Sequence, residues 1–158
     1  MILVVCTDDP KLLKIAQDSR GSNPAVFGEV KKIFADPLPQ LKAGENLFII
    51  AHGAYKGDDN NPVIGDKSKD FYINAVDLFE NIKSIFPKNY SGSVYVDACE
   101  AADHDEETFS FIEVFLTQIQ AVHGNTQVYG RNGAASGRIP LPSDPKWRRA
   151  TLSAERTA

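Results

Sequence analysis

The stretch NLFIIAHG, residues 46–53, decides how the chain is read. Leu47, Phe48, Ile49, Ile50 and Ala51 follow one another without the polar alternation of a half-exposed strand. An apolar run of this kind suits a strand covered on both faces, as in a parallel sheet flanked by helices. It stops at His52-Gly53, where a reactive side chain meets a residue with no Cβ. Two further runs have the same character: ILVVC at 2–6, and SVYVD at 93–97, which delivers Ala98-Cys99 at its C-terminal end. A shorter run, QVY at 127–129, reads as the last strand.

Helical patterns separate these strands. Asp9-Pro10 opens a helix whose apolar side carries Leu12, Leu13 and Ile15. Asn74 is a good N-cap for a helix with Val76, Leu78, Phe79, Ile82, Ile85 and Phe86 on one face, stopped by Pro87. Within 109–122, Phe111, Ile112, Phe115, Leu116 and Ile119 recur at helical spacing, with Thr108 as the expected cap. Residues 26–34 fit a helix or a strand equally well. The polar segment 54–70 reads as a long loop with a small hairpin around Val63-Ile64 and Phe71 to Ile73, and residues 130–137 are too rich in glycine for anything but a loop. Strands alternating with helices predict an α/β fold, a three-layer α-β-α sandwich with a mainly parallel sheet. One domain over 1–140 is expected, followed by a weakly ordered tail, 141–158, of Pro, Ser, Arg and Lys.

A net charge of −4 argues against a nucleic-acid partner, which would need clustered Lys and Arg; the one tight basic group is Lys146, Arg148 and Arg149 in the tail. The longest apolar runs are about five residues, against the roughly 20 needed to cross a bilayer, so no membrane span is expected. The first residues lack the basic start and longer apolar region of a secretory leader, which favours a cytoplasmic chain or one exported without a cleavable signal. With two cysteines and no CxxC pair, a disulfide scaffold is not expected. Cys6, inside an apolar run, reads as a small buried hydrophobe.

Cys99 reads differently. In open parallel sheets, reactive groups gather beyond the C-terminal ends of the strands, where both His52-Gly53 and Ala98-Cys99 fall. A thiol is a weak nucleophile until it loses its proton, and a neighbouring imidazole can accept that proton and return one to a leaving amine. Gly53 and Ala98 are small enough to let a substrate backbone approach.

An apolar strand ending in His-Gly, followed about 50 residues later by one ending in Ala-Cys, resembles the caspase-like cysteine peptidases. Asp97 stands where caspases carry Gln, so Asp97-Ala98-Cys99-Glu100 is more similar to the wider clan of clostripain, the metacaspases and legumain. The resemblance covers roughly 1–137, but its specific part is the two short motifs. It implies a cysteine endopeptidase acting on a protein or peptide through a His52–Cys99 dyad, with the Gly53 and Cys99 N–H groups as oxyanion hole. By the same resemblance, Asp97 lies in the pocket that selects Arg or Lys before the cleaved bond, and Arg131 lines the substrate groove. A carboxylate in a partly desolvated pocket independently favours a basic side chain. Caspase-like catalytic units commonly carry further strands that build part of the groove; with none visible after 127–129, the alternatives are a shallow groove, a wall supplied by a second copy in a homo-oligomer, or a chain that is a fragment of a larger protein.

Several alternatives stand beside this reading. A legumain-like enzyme would cleave after Asn, and a non-catalytic binding domain would keep His52 and Cys99 only for packing. No metal or other cofactor is expected: His104, His123, Asp103 and Asp105 could join Cys99, but Cys99-x4-His104 does not match zinc spacing and only one thiol is nearby. Calcium, held by Asp58, Asp59 and Asp66 or by Asp103, Asp105, Glu106 and Glu107, is the weaker alternative to solvated acidic loops. Asp8-Asp9 hints faintly at a receiver-like acidic pocket, but no matching lysine ends a later strand.

Overall fold

The computed structural model describes residues 1–56, 62–66, 71–98, 109–131 and 137–151. Its main sheet has six strands in the order β2-β1-β3-β7-β8-β9. These are β1 (Ile2–Val4), β2 (Val30–Lys32), β3 (Leu47–Ile50), β7 (Ser93–Asp97), β8 (Gln127–Gly130) and β9 (Arg148–Arg149). All neighbours run parallel except β8 and β9. The continuous apolar character of β1, β3 and β7 has the cause inferred for it, because each lies between two other strands and is covered on both faces.

Alternation along the strands divides the core. Leu47, Ile49, Val94, Val96 and Val128 face a layer made by helices α3 (Ala75–Ile82) and α4 (Phe111–Gln120). Phe48, Ile50 and Tyr95 face the opposite layer, with Leu12 and Ala16 of helix α1 (Pro10–Ser22). Helix α1 begins where Asp9 accepts a hydrogen bond from the Leu12 N–H at 3.2 Å, with Pro10 in the first turn. Helix α3 has Asn74 as its cap, as expected. Helix α4 is capped by Ser110, not Thr108: Ser110 and Glu113 satisfy each other's backbone N–H groups in a capping box.

The ambiguous segment 26–34 contains both alternatives in succession. A single turn, α2 (Pro24–Phe27), ends at Gly28, and β2 follows as an edge strand. Asp36 closes part of that edge by accepting from the Lys32 N–H at 2.8 Å and donating its own N–H to the Lys32 carbonyl at 3.0 Å.

A second sheet arises after β3. Strands β4 (His52–Lys56), β5 (Pro62–Gly65) and β6 (Tyr72–Asn74) form an antiparallel meander, so His52 both follows one strand and begins another. The tail expected to be weakly ordered from 141 is instead structural through Ala150. Trp147 is buried and packs on Tyr95 with ring centroids 5.1 Å apart; its indole N–H donates to the Leu141 carbonyl at 3.0 Å. Ile139 donates its N–H to the Ser19 hydroxyl at 3.0 Å, and Ala150 donates to Val128 at 2.8 Å. The helical layers on the two sides of the sheet agree with the expected α/β sandwich. No helix among the described residues is long and apolar enough to cross a membrane.

Candidate functional site

The C-terminal ends of β1, β3 and β7 lie level with one another. Val4 is opposite Ile50, and Ile50 is opposite Asp97. Val5 donates to the Ile50 carbonyl at 2.9 Å, and Ala51 donates to the Asp97 carbonyl at 3.3 Å, so the strands stay together as they leave the sheet. The next residues are Cys6 to Asp9 after β1, His52 after β3, and Ala98 after β7. Cys99, the expected nucleophile, lies outside the described residues.

His52 has 30% of its side chain exposed, and its Nε2 is 2.9 Å from the Asp9 carboxylate, whose side chain is only 9% exposed. This is an ion-pair distance with poor alignment: Nε2 makes no well-directed hydrogen bond among the described residues. Directly after His52, the chain turns at Gly53, which has φ +122°. A Cβ there would stand 2.7 Å from the Val63 carbonyl oxygen and 3.1 Å from the Ile64 Cα, so glycine is required both by the dihedral and by the close approach of β5. The meander is tied back to β1 by Asp66. Its two oxygens accept from the Thr7 N–H at 3.0 Å and the Thr7 hydroxyl at 2.6 Å.

Asp97 and Arg131 were expected as separate parts of a substrate pocket; in the structure they face each other. Tyr95 is opposite Tyr129 in the sheet, and two residues further on the Arg131 guanidinium stands 3.1 Å from the Asp97 carboxylate. Both are buried, at 6% and 5% exposure. Trp147 covers the guanidinium, with its ring centroid 5.7 Å away. Burial pushes the Asp97 carboxyl up to about 6, while Arg131 pulls it down. The pair is not ideally directed, since Asp97 Oδ1 and Arg131 Nε and Nη2 lack aligned hydrogen-bond partners among the described residues.

The remaining candidates lie apart from this edge or are already occupied. Cys6 is buried, and burial together with Asp66 pushes its thiol up to about 11, so it is not a thiolate at neutral pH. Asp66, one of the calcium candidates, is engaged by Thr7; Asp58, Asp59, Asp103, Asp105, Glu106 and Glu107 lie outside the described residues, as does His104. His123 packs against the rings of Phe86 and Tyr90. Among the described residues, no three His, Cys, Asp or Glu side chains converge as a metal site. A cavity of about 640 Å³ lies elsewhere, lined by Leu13, Arg20 and Pro24 on one side and Val30 and Lys31 of the edge strand on the other. It holds none of the predicted site residues.

Asp66 was expected only as a calcium ligand and Asp8-Asp9 only as a faint acidic pocket; neither Asp9 beside His52 nor Trp147 over Arg131 was expected. For Asp9 the signal was present: it follows β1 at the same sheet end that drew attention to His52. For Trp147 the sequence carried no comparable signal.

No protein-family model, curated protein or solved structure matches the chain.

Proposed function

We propose that the chain is a cysteine endopeptidase of the caspase-like kind, with Cys99 as nucleophile and His52 as its acid-base partner. The observation that carries the reading is the parallel register of Ile50 with Asp97. It makes His52 and Cys99 equivalent in count, each two residues beyond a paired position at the same end of neighbouring strands.

In this reading His52 takes the Cys99 proton, and the thiolate sulfur attacks the substrate carbonyl. The oxyanion forms against the Gly53 and Cys99 N–H groups, where one donor is typically worth about 2.7 to 4 kcal/mol of barrier. The peptide C–N bond breaks as the imidazolium gives its proton to the departing amine, leaving a thioester. Water, deprotonated by His52, attacks the thioester, and the thiolate leaves. The partial exposure of His52 supports this role, since a proton shuttle must reach both substrate and water.

A basic preference assigns Asp97 to the pocket that receives Arg or Lys. The buried Asp97–Arg131 pair bears directly on that assignment, because an incoming cation must compete with a guanidinium already opposite the carboxylate. That pairing favours, as second reading, a neutral residue such as Asn before the cleaved bond.

The test is alkylation of Cys99 by iodoacetamide as a function of pH, with mass spectrometry separating it from Cys6, in the wild type and in His52→Ala. Rapid reaction of Cys99 near neutral pH that is lost in His52→Ala supports the dyad, and peptides with Arg, Lys or Asn before the scissile bond then decide specificity. A Cys99 as unreactive as Cys6 refutes the catalytic reading and leaves a binding domain.

A further inference from the structure

The geometry assigns Asp9 as a positioning residue for His52, making the site a thiol, imidazole and carboxylate in series in place of a bare dyad. The assignment rests on the cysteine-peptidase reading and extends it to a residue from a third strand end.

Three observations carry it. The first is contact: a carboxylate oxygen of Asp9 lies 2.9 Å from His52 Nε2. This leaves Nδ1 as the nitrogen available to a thiol, since one ring nitrogen cannot serve both partners. The second is rigidity. Asp9 is fixed at the start of α1, where its other oxygen accepts from the Leu12 N–H at 3.2 Å, and β1 pairs directly with β3 in the sheet. The carboxylate is therefore held by the scaffold, as a group that orients another must be. The third is the state of the neighbouring carboxylates: Asp66 is engaged by Thr7, and Asp97 faces Arg131. Among the described residues, Lys32 is a basic side chain whose field reaches this end of β1, where it acts on Cys6.

A carboxylate beside one nitrogen favours the imidazolium that forms when the other takes the thiol proton, and it restrains the orientation of the ring. The off-axis placement of Nε2 does not remove the first effect, because charge attraction depends on distance more than on alignment.

The double role of Asp9 permits a clean test. Asn caps a helix as well as Asp does, so Asp9→Asn removes the charge beside His52 and keeps the start of α1. Asp9→Ser is a second capping variant without charge, should the amide disturb packing. In either variant, Cys99 alkylation by iodoacetamide at pH 7 should slow about tenfold, and the midpoint of its pH profile should move up by about one pH unit. The urea midpoint should stay at the wild-type value. An Asp9 that acts only as the α1 cap would leave both the urea midpoint and the alkylation profile at the wild-type values in these capping variants. If the wild type reacts near neutral pH, His52→Ala abolishes the reaction, and both Asp9 variants keep the wild-type profile, the assignment is overturned while the dyad stands. If wild-type Cys99 is as inert as Cys6 and His52→Ala changes nothing, both fall.

Discussion

Replacing Arg131 with Met should produce a loss of stability whose size depends on pH in a calculable way. The substitution removes the guanidinium charge and keeps an unbranched stem against Trp147. Asp97 is pushed from its ordinary 3.8 to about 6 by burial, with Arg131 acting in the opposite direction. A carboxyl whose folded pKa lies above its unfolded value binds its proton more tightly when folded. Its favourable contribution is full below the unfolded value and is lost as pH rises through the folded one. At about 1.4 kcal/mol per pH unit, ionised Asp97 costs the folded protein about 3 kcal/mol at pH 8 even with Arg131 in place. Without Arg131 the carboxyl holds its proton to higher pH, and a carboxyl still protonated at pH 8 costs about 6 kcal/mol relative to the unfolded chain. The difference, about 3 kcal/mol, is the ceiling on the charge-dependent loss at pH 8, and it matches the low end of the loss expected when one partner of a buried pair is removed. At pH 5 both proteins hold the proton when folded, and the charge-dependent loss is close to zero. Urea titrations at pH 5 and pH 8, followed by far-UV circular dichroism, measure the two losses. Trp147 fluorescence is a poor sole probe because its indole lies against the altered side chain. Equal losses at the two pH values would mean that Arg131 acts through packing alone, and a larger loss at pH 5 would reverse the assigned sign.

Gly53→Ala should cost about 1–3 kcal/mol in a urea titration, because the new Cβ meets the Val63 carbonyl and the dihedral is unfavourable for any other residue. Since His52 precedes it, Cys99 alkylation should slow as well. Trp147→Ala should cost about 3–5 kcal/mol, and a loss below about 1 kcal/mol would show that the 137–151 segment is dispensable to the fold. Cys6 should resist iodoacetamide at pH 8 in the folded protein and label only on unfolding, as its burial and its thiol at about 11 require; prompt labelling of native protein would contradict the packing at the end of β1.

The strands around Phe48, Val94 and Leu3 were legible because burial on both faces leaves a run of apolar residues that no exposed segment reproduces. The edge strand β2 was not, since Val30, Lys31 and Lys32 are each only half-buried and too few to show a period. The meander was half legible. Val63, Ile64 and Ile73 suggested a hairpin, but pairing of the segment after His52 with β5 depends on a backbone turn at Gly53 that hydropathy does not record. His52, Asp97 and Arg131 were each identifiable by their positions at strand ends. That Asp97 and Arg131 meet follows from the Tyr95–Tyr129 register, a long-range fact. The same holds for Asp9, which reaches His52 because β1 and β3 are neighbours. Trp147 and Ile139 stand among prolines and charged residues, and their burial is set by Tyr95 and Ser19 far away in the chain.

The segment that carries Trp147 gives the molecule a timetable. The rings of Phe48, Tyr95 and Tyr129 stack into a ladder on the α1 side of the sheet, with centroids 5.1 and 4.9 Å apart, and the indole is part of what covers it. On a ribosome adding about 5–20 residues per second, Tyr95 emerges roughly 3–10 s before that cover exists. During this interval the helical layer of α3 and α4 can assemble on one side while the other side presents an aromatic surface to the cell. Nascent chains stalled in that window are the ones expected to recruit chaperones or to aggregate, and release of Trp147 from the exit tunnel is the event that closes it.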